Sequence, residues 1–251
     1  MMVFTIAGRE LRSLFLSPLA WSILAVTMFI FAYLFLSQIE TYLTLQPRLA
    51  AIEGAPGVTD IVVAPLFAQA AVVLLLITPL VTMRVLSDER RNRTLSLLLS
   101  APVSMTEIVA GKYLGVLFFF LILISMLTLM PLSLLAGTDL DLAKLAAGVL
   151  GLSLVVAAFS AIGLYMSSLT EQPTVAAVTT FGLLLLLWII DRAGNNQTDT
   201  TNLMSYLSML RHYEPLLKGL FNSTDIAYYL LVVTLFLGFS IRRLDADRLQ
   251  H

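Results

Sequence analysis

The chain has 251 residues, of which 59% are hydrophobic and 12% are charged, roughly half the charged fraction of an ordinary soluble domain. This composition excludes a soluble globular fold, and a net charge of -1 gives no positive field for nucleic acid. Cysteine is absent, which excludes disulfides, thiolate metal sites and cysteine nucleophiles. We therefore expect an all-α integral membrane protein in which residues 1–251 form one transmembrane domain surrounded by lipid.

The first element is an amphipathic segment, residues 3–16. Apolar residues recur at helical spacing on one face, with Arg9 and Arg12 opposite. A helix of this kind lies in the plane of the membrane interface. Ser17 and Pro18 then predict a capped start for the first span. The uncharged stretch that follows is too long for a cleaved signal peptide, so we expect it to be retained.

Apolar runs long enough to cross the bilayer, which takes about 20 residues, follow six times. The predicted spans are residues 19–39, 61–83, 113–136, 145–169, 174–191 and 224–241. Ten Lys and Arg residues lie on the side that holds the termini, against five on the other side. The positive-inside rule therefore predicts that both termini are cytoplasmic, and we expect the membrane to be the cell's inner membrane.

The loop between spans two and three, residues 84–112, is predicted to contain two helices. Ser87 is the expected capping residue of the first, which would run to just before Pro102. Ser104 and Glu107 form a capping box that starts the second and leads it into span three.

Charges and leucines in this loop leave two interpretations open. Residues 88–93 are almost all charged, and Leu95, Leu98 and Leu99 follow as an apolar stripe. The loop is either a solvated segment that follows the positive-inside rule or a docking helix for the groove of a cytoplasmic partner.

The other long loop, residues 192–223, lies on the outer side in this topology. Its first part is polar, and its second part, residues 206–221, is amphipathic and interrupted by Pro215 and Gly219. We expect a pair of short helices that dip into the outer leaflet. His212 is predicted to be a surface or interfacial histidine.

No residue set in the chain is typical of catalysis or metal binding. The interiors of the predicted spans contain no Asp, Glu, Lys, Arg or His, whereas ion-coupled carriers usually keep an ionisable residue at mid-membrane. The two histidines, His212 and His251, belong to no plausible triad. No phosphate-binding G-x-x-x-x-G-K-[ST] motif occurs. We therefore predict no catalytic, cofactor-binding or metal-ligating residue.

Two segments resemble ABC-2 type transporter permeases. Residues 87–104, with Glu107-Ile108 and Gly111-Lys112-Tyr113 after them, are similar to the loop between spans two and three of that family. The family pattern there is acidic, basic, Gly-Thr-Leu-Glu, two leucines, a small residue, Pro and then Gly-Lys. Residues 212–219, followed by Asp225-Ile226 and Tyr228, resemble the segment before the last span. The chain is most similar to the gliding-motility-associated permeases and, more distantly, to the permease of copper-enzyme maturation systems for nitrous-oxide reductase.

The resemblance implies a non-catalytic permease subunit of an ATP-binding-cassette exporter. Two copies would pair as a homodimer, and each would dock one cytoplasmic ATPase, which holds the ATP and Mg²⁺ and drives substrate outward. The residues implied in ATPase contact are Asp88, Glu89, Arg90, Arg91, Arg93, Thr94, Leu95, Leu98 and Pro102. A periplasmic or membrane-anchored auxiliary subunit is implied as well, with expected contacts at Tyr206, Leu210, His212, Tyr213 and Glu214.

Two alternatives remain open from the sequence. The same fold could transmit ATP-driven motion to a periplasmic partner without moving a solute. It could also be an ATP-independent carrier or channel. Under the exporter interpretation, Glu89→Ala together with Arg90→Ala is expected to uncouple hydrolysis without unfolding the spans.

Overall fold

The computed structural model describes residues 2–49, 56–92, 104–194 and 206–248, with side chains except at 49 and 191–194. All regular structure in these residues is helical. The α-helices are α1 (Met2–Leu16), α2 (Pro18–Leu49), α3 (Ala64–Thr82), α4 (Ser87–Arg91), α5 (Met105–Leu132), α6 (Leu142–Leu169), α7 (Pro173–Gly194), α8 (Met209–Leu217) and α9 (Ser223–Arg248). A π-helical turn (Thr59–Val63) leads into α3, and a 3-10 turn (Ser133–Ala136) follows α5.

Six of these helices are long and apolar enough to cross a membrane: α2, α3 with its flanking turns, α5, α6, α7 and α9. Each predicted span lies inside one of them, so the expected all-α membrane fold is confirmed. With six crossings, both termini lie on the same side of the bundle, which we call the termini side. This side holds α1, the start of α2, α4, the start of α5 and the end of α9. The π-helical turn, the start of α6 and α8 lie on the other, the opposite side.

Helix α6 is the centre of the bundle. It contacts α3, α5, α7, α8 and α9, and most of its most apolar stretch is buried. Close packing depends on small residues in this helix. A Cβ at Gly148 would lie 2.9 Å from the Phe67 ring, and one at Gly151 would lie 2.9 Å from Leu216. Helices in membranes approach one another through small residues in this way, because lipid supplies no hydrophobic drive to hold them together.

Helix α1 packs against α5 through a second pair of glycines. A Cβ at Gly111 would lie 2.7 Å from the Cβ of Ile6, and one at Gly115 would lie 3.1 Å from the Ala7 carbonyl oxygen. The predicted helix over residues 3–16 is therefore confirmed, and it packs against the bundle; its place in the membrane interface stays a prediction. The predicted start of α2 is also confirmed, since Ser17 Oγ accepts a hydrogen bond from the Leu19 N–H at 3.3 Å.

In the loop between α3 and α5, one predicted helix cap is confirmed and the other is corrected. Ser104 Oγ accepts from the Glu107 N–H at 3.2 Å and Glu107 returns a bond to the Ser104 N–H at 3.1 Å, so the capping box is present. Ser87 was expected to cap α4, but it is the first helical residue and its hydroxyl donates to the Met83 carbonyl oxygen. The predicted continuation of that helix to Pro102 falls outside the described residues.

Of the expected pair of short helices before the last span, the structure describes one, α8; Tyr206 is also helical, and the residues before it lie outside the described part. Pro215 lies inside α8, because a proline keeps the helical φ angle and loses only one backbone hydrogen bond. Gly219 ends it with a φ of 78°. The Leu220 N–H bonds the Pro215 carbonyl at 2.9 Å, which is the pattern of a Schellman cap.

Candidate partner-docking site on the termini side

The turn between α3 and α4 is fixed by a single hydroxyl from α6. Ser167 is fully buried, and its Oγ accepts hydrogen bonds from the backbone N–H groups of Leu86 and Ser87, each at 3.1 Å. The same hydroxyl donates to the Met83 carbonyl oxygen at 3.0 Å. A hydroxyl offers one donor and two acceptor positions, so Ser167 uses all of them to position the start of α4.

Lys112 joins α4 to two other helices. Its side chain is 5% exposed, and its Nζ lies 2.8 Å from Glu89 Oε1 and 3.2 Å from Glu10 Oε2. It also donates to the Val85 carbonyl oxygen at 2.9 Å. An ammonium group buried this deeply is tolerated only when it is paired and hydrogen-bonded. Lys112 therefore links α1, the residues before α4, α4 itself and α5.

Arg90 makes the third connection, from α4 to the end of α9. Its guanidinium forms an ion pair with Asp247, and the two side chains are 12% and 13% exposed. The more exposed Arg243 lies 3.8 Å from the other oxygen of the same carboxylate. Helix α4 contains only five residues, yet side-chain ion pairs connect it directly to α5 and α9, and Lys112 of α5 is paired with Glu10 of α1 as well.

The residues predicted to contact an ATPase separate into three groups. Glu89 and Arg90 point into the protein and hold these ion pairs. Asp88 is half-buried and Arg91 is exposed, and both line a groove of about 430 Å³ between α4 and the start of α7. The remaining predicted contacts lie outside the described residues: Arg93, Thr94, Leu95, Leu98 and Pro102. Within the described part, the surface open to a partner is therefore that of Asp88, Arg91 and Asn92.

His212 on the opposite side is buried, so its prediction as a surface histidine is wrong. Its Nδ1 lies 2.7 Å from Asp225 Oδ1, and its Nε2 lies 3.0 Å from the Tyr206 carbonyl oxygen. The Tyr228 ring stacks on the imidazole with 4.1 Å between centroids. The histidine is only 5% exposed because α8 packs it against the first turn of α9.

Burial also changes the predicted contact surface for an auxiliary subunit. Tyr213 is fully buried and donates to the Phe67 carbonyl oxygen at 3.0 Å, and loss of hydration raises the pKa of its phenol well above the usual range. His212 and Tyr213 are thus unavailable to a partner in this conformation. Tyr206 and Glu214 are exposed and Leu210 is half-buried, so these three remain as a predicted contact.

The ABC-2 family transporter protein profile matches residues 4–249. The chain belongs to the ABC-2 transporter family. No curated protein sequence matches it. This ABC-2 protein is a multi-pass permease subunit of an ABC transporter, and its family implies an ATPase partner.

Sequence reasoning about the ABC-2 permease missed the binding partners of α4. Asp247 lies 157 residues after its partner Arg90, and Glu10 lies 102 residues before Lys112, the lysine that also pairs with Glu89. The Gly-x-x-x-Gly spacing of Gly111 and Gly115 was a readable sign that a helix packs there, and it places Lys112 beside that helix.

Proposed function

We propose that this permease couples ATP hydrolysis by a separate cytoplasmic ATPase to the outward movement of a substrate. In this proposal the chain lies in the inner membrane with both termini in the cytoplasm, and two copies pair. Each copy docks an ATPase that holds the ATP and Mg²⁺. The gliding-motility-associated permeases are the subfamily proposed for it.

The observation that carries the proposal is the attachment of α4. Its outward residues are polar and open, while its inward residues are held by ion pairs to α5 and α9, and the same Lys112 of α5 is paired with Glu10 of α1. A force applied to α4 by a docked ATPase is therefore passed to three helices at once. Ion pairs suit this purpose because their attraction falls only with the inverse of the distance, whereas apolar contacts are lost within a short separation.

The proposal requires a different variant from the one that the sequence alone favours. Glu89→Ala with Arg90→Ala removes two structural ion pairs, so its effect would mix docking with stability. Arg91→Glu reverses a charge on the exposed surface and leaves those pairs intact. Arg248→Glu is the matched control, because it makes the same change at an exposed residue of the same side.

The experiment is purification from the native host without overexpression, followed by identification of co-purifying proteins and a vanadate-sensitive ATPase assay. We expect a stoichiometric ATPase, whose hydrolysis is stimulated by the permease. Arg91→Glu is expected to lower that stimulation tenfold, and Arg248→Glu to leave it unchanged. A chain that purifies alone and stays alone when candidate ATPases are added would overturn the proposal in favour of a carrier or channel.

A mechanical role is the second candidate, and the seating of α8 favours it. Tyr213 bonds this helix to α3 at Phe67, and Gly151 brings it against α6. Motion of the bundle would therefore carry the exposed Tyr206 and Glu214 with it and reach a partner there. Cross-linking at Glu214→Cys in intact cells tests this role, and an absence of any cross-linked protein under turnover would count against it.

A further inference from the structure

A polar cavity and an apolar groove meet at the start of α2 on the termini side. The cavity, of about 290 Å³, is enclosed by α1, α2, α4, α5 and the end of α3. The groove, of about 400 Å³, runs between α2 and α3. Leu19, Ile23 and Leu80 line both spaces, so they are continuous.

The polar cavity contains charged side chains that form no ion pair with other residues in the described part of the chain. Lys112 is already bound to acidic side chains, but Arg9 and Arg84 line the cavity and form no ion pair within the described ranges. Asp88 lines it too and likewise has no ion pair among those residues. Two guanidinium groups and one carboxylate are complementary to a ligand that bears a phosphate and an ammonium group.

The apolar end offers a ligand no hydrogen bond. Its two hydroxyls are bonded to their own helix: Ser22 donates to the Pro18 carbonyl at 3.0 Å and Thr27 donates to the Ile23 carbonyl at 2.6 Å. The other groove residues are aliphatic. Everything that a ligand meets along this surface is therefore hydrocarbon.

The length of the groove matches one leaflet. It follows α2 from Leu19 to Ile30, which at 1.5 Å per residue is about 16 Å, and one leaflet's hydrocarbon is about 15 Å deep. Val26 and Leu76 lie at its rim and are 60% and 52% exposed, so the groove opens sideways into the membrane. The polar cavity lies at its termini-side end, where a lipid headgroup lies.

We propose that this space binds one glycerophospholipid with an ethanolamine-type headgroup. Its phosphate lies between Arg9 and Arg84, its ammonium group lies at Asp88, and one acyl chain fills the groove between α2 and α3. The bound lipid joins α1 to the turn that leads into α4, and it is a resident ligand rather than cargo. This inference does not depend on an ATPase or on a transported substrate.

The first test is native mass spectrometry of the full chain after reconstitution with equal amounts of phosphatidylethanolamine and phosphatidylglycerol and then mild delipidation. We expect one retained phospholipid per chain, with phosphatidylethanolamine enriched at least threefold. Arg9→Gln with Arg84→Gln is expected to lower retention fivefold or more. The matched control is Arg12→Gln with Arg242→Gln, which removes the same charge from exposed residues outside the cavity. Equal losses in both variants, or no enrichment over phosphatidylglycerol, would overturn the proposal.

A second variant tests the groove without changing any charge. Val26→Trp fills the open rim, and Phe29→Trp places the same ring on an exposed part of α2 outside the groove. Retention is expected to fall at least fivefold for Val26→Trp and to stay unchanged for Phe29→Trp. If both variants retain the lipid equally, the acyl chain does not lie in the groove and the proposal fails.

The remaining alternative is that a second copy of the chain covers the groove. Because the chain contains no cysteine, Val26→Cys introduces a single thiol at the rim. We expect no disulfide-linked dimer under mild oxidation in the bilayer. Efficient dimer formation would place a second copy on the groove and would overturn the lipid assignment.

Discussion

The two sides of the bundle use the same interaction for different purposes. On the termini side, the ion pairs of Lys112 and Arg90 converge on α4, a five-residue helix in which Ser87 is the one buried residue. On the opposite side, the His212–Asp225 pair lies within packed aromatic rings, beside the fully buried Tyr213. On the termini side, ion pairs therefore attach a helix that has little apolar packing of its own to its neighbours. On the opposite side, the His212–Asp225 contact is one part of a layer that is already well packed.

The largest loss of stability is expected from His212→Ala on the opposite side. The change removes the imidazole that lies 2.7 Å from the Asp225 carboxylate, whose side chain is 8% exposed. Leaving a buried carboxylate without its hydrogen-bond partner, together with the lost ring packing, costs about 3 kcal/mol or more of unfolding free energy. Titration with SDS in mixed micelles measures it, with the exposed neighbour Glu214→Ala as control. A loss below about 1 kcal/mol would show that the His212–Asp225 contact does not stabilise the opposite side.

A smaller loss is expected from Lys112→Ala on the termini side. Glu10 and Glu89 are left without their cation, but their side chains are 19% and 21% exposed and recover some hydration. We expect a cost of about 2–3 kcal/mol, at or below the lower end for buried pairs. The same SDS titration measures it.

Lys144→Ala is the control for Lys112→Ala. Lys144 pairs with Asp60 at 2.7 Å, but its side chain is 33% exposed, so its removal is expected to leave the midpoint of unfolding unchanged. Equal shifts for the two lysines would remove the distinction between a buried connection on the termini side and a surface pair.

Gly115→Ala is expected to cost less, because it acts through packing rather than charge. The new methyl group would lie 3.1 Å from the Ala7 carbonyl oxygen and 2.7 Å from the Cβ of Glu10, so α1 must move away from α5. Overpacking of this kind costs about 1–3 kcal/mol. The thermal midpoint in detergent measures it, and Gly182→Ala, which meets no atom within 4 Å, is the control. Identical midpoints would mean that α1 is not held in its described position.

The smallest effect is expected from Tyr213→Phe. It removes the hydroxyl that donates to Phe67 at 3.0 Å and keeps the ring, so the cost is about 1 kcal/mol. Tyr33→Phe, on a ring that is 68% exposed, serves as control in the same unfolding titration. A loss larger than that of Lys112→Ala would contradict this order, because one neutral hydrogen bond would then outweigh the buried ion pairs of Lys112.

The sequence predicted those features that depend on local chemistry. The six spans follow from apolar runs, the start of α2 from Ser17 and Pro18, and the capping box from the spacing of Ser104 and Glu107. Each of these needs only residues within one helix or one turn. The structure has all of them, although α2 ends at Leu49, ten residues after the predicted end of its span, and α5 begins at Met105, eight residues before the predicted start.

Features that join distant parts of the chain were not predictable in this way. His212 reads as a polar residue in a polar loop, and its burial depends on Asp225 at the start of another helix. Ser87 looks like a cap, but the buried hydroxyl of Ser167 takes over the local N–H groups. Glu89 and Arg90 look like a docking surface, but Lys112 and Asp247 draw them inward.

Helix α9 connects these two sides as one continuous rod. It runs from Asp225, paired with His212, to Asp247, paired with Arg90, and the 22 residues between them span about 33 Å. A tilt of about 10° about its Asp247 end would sweep the Asp225 end through about 6 Å by that length. The His212 contact, at 2.7 Å, does not survive such a sweep unless α8 travels with it. Any tilt of α9 about that end therefore either carries α8 with it as one rigid unit or breaks the buried His212–Asp225 contact.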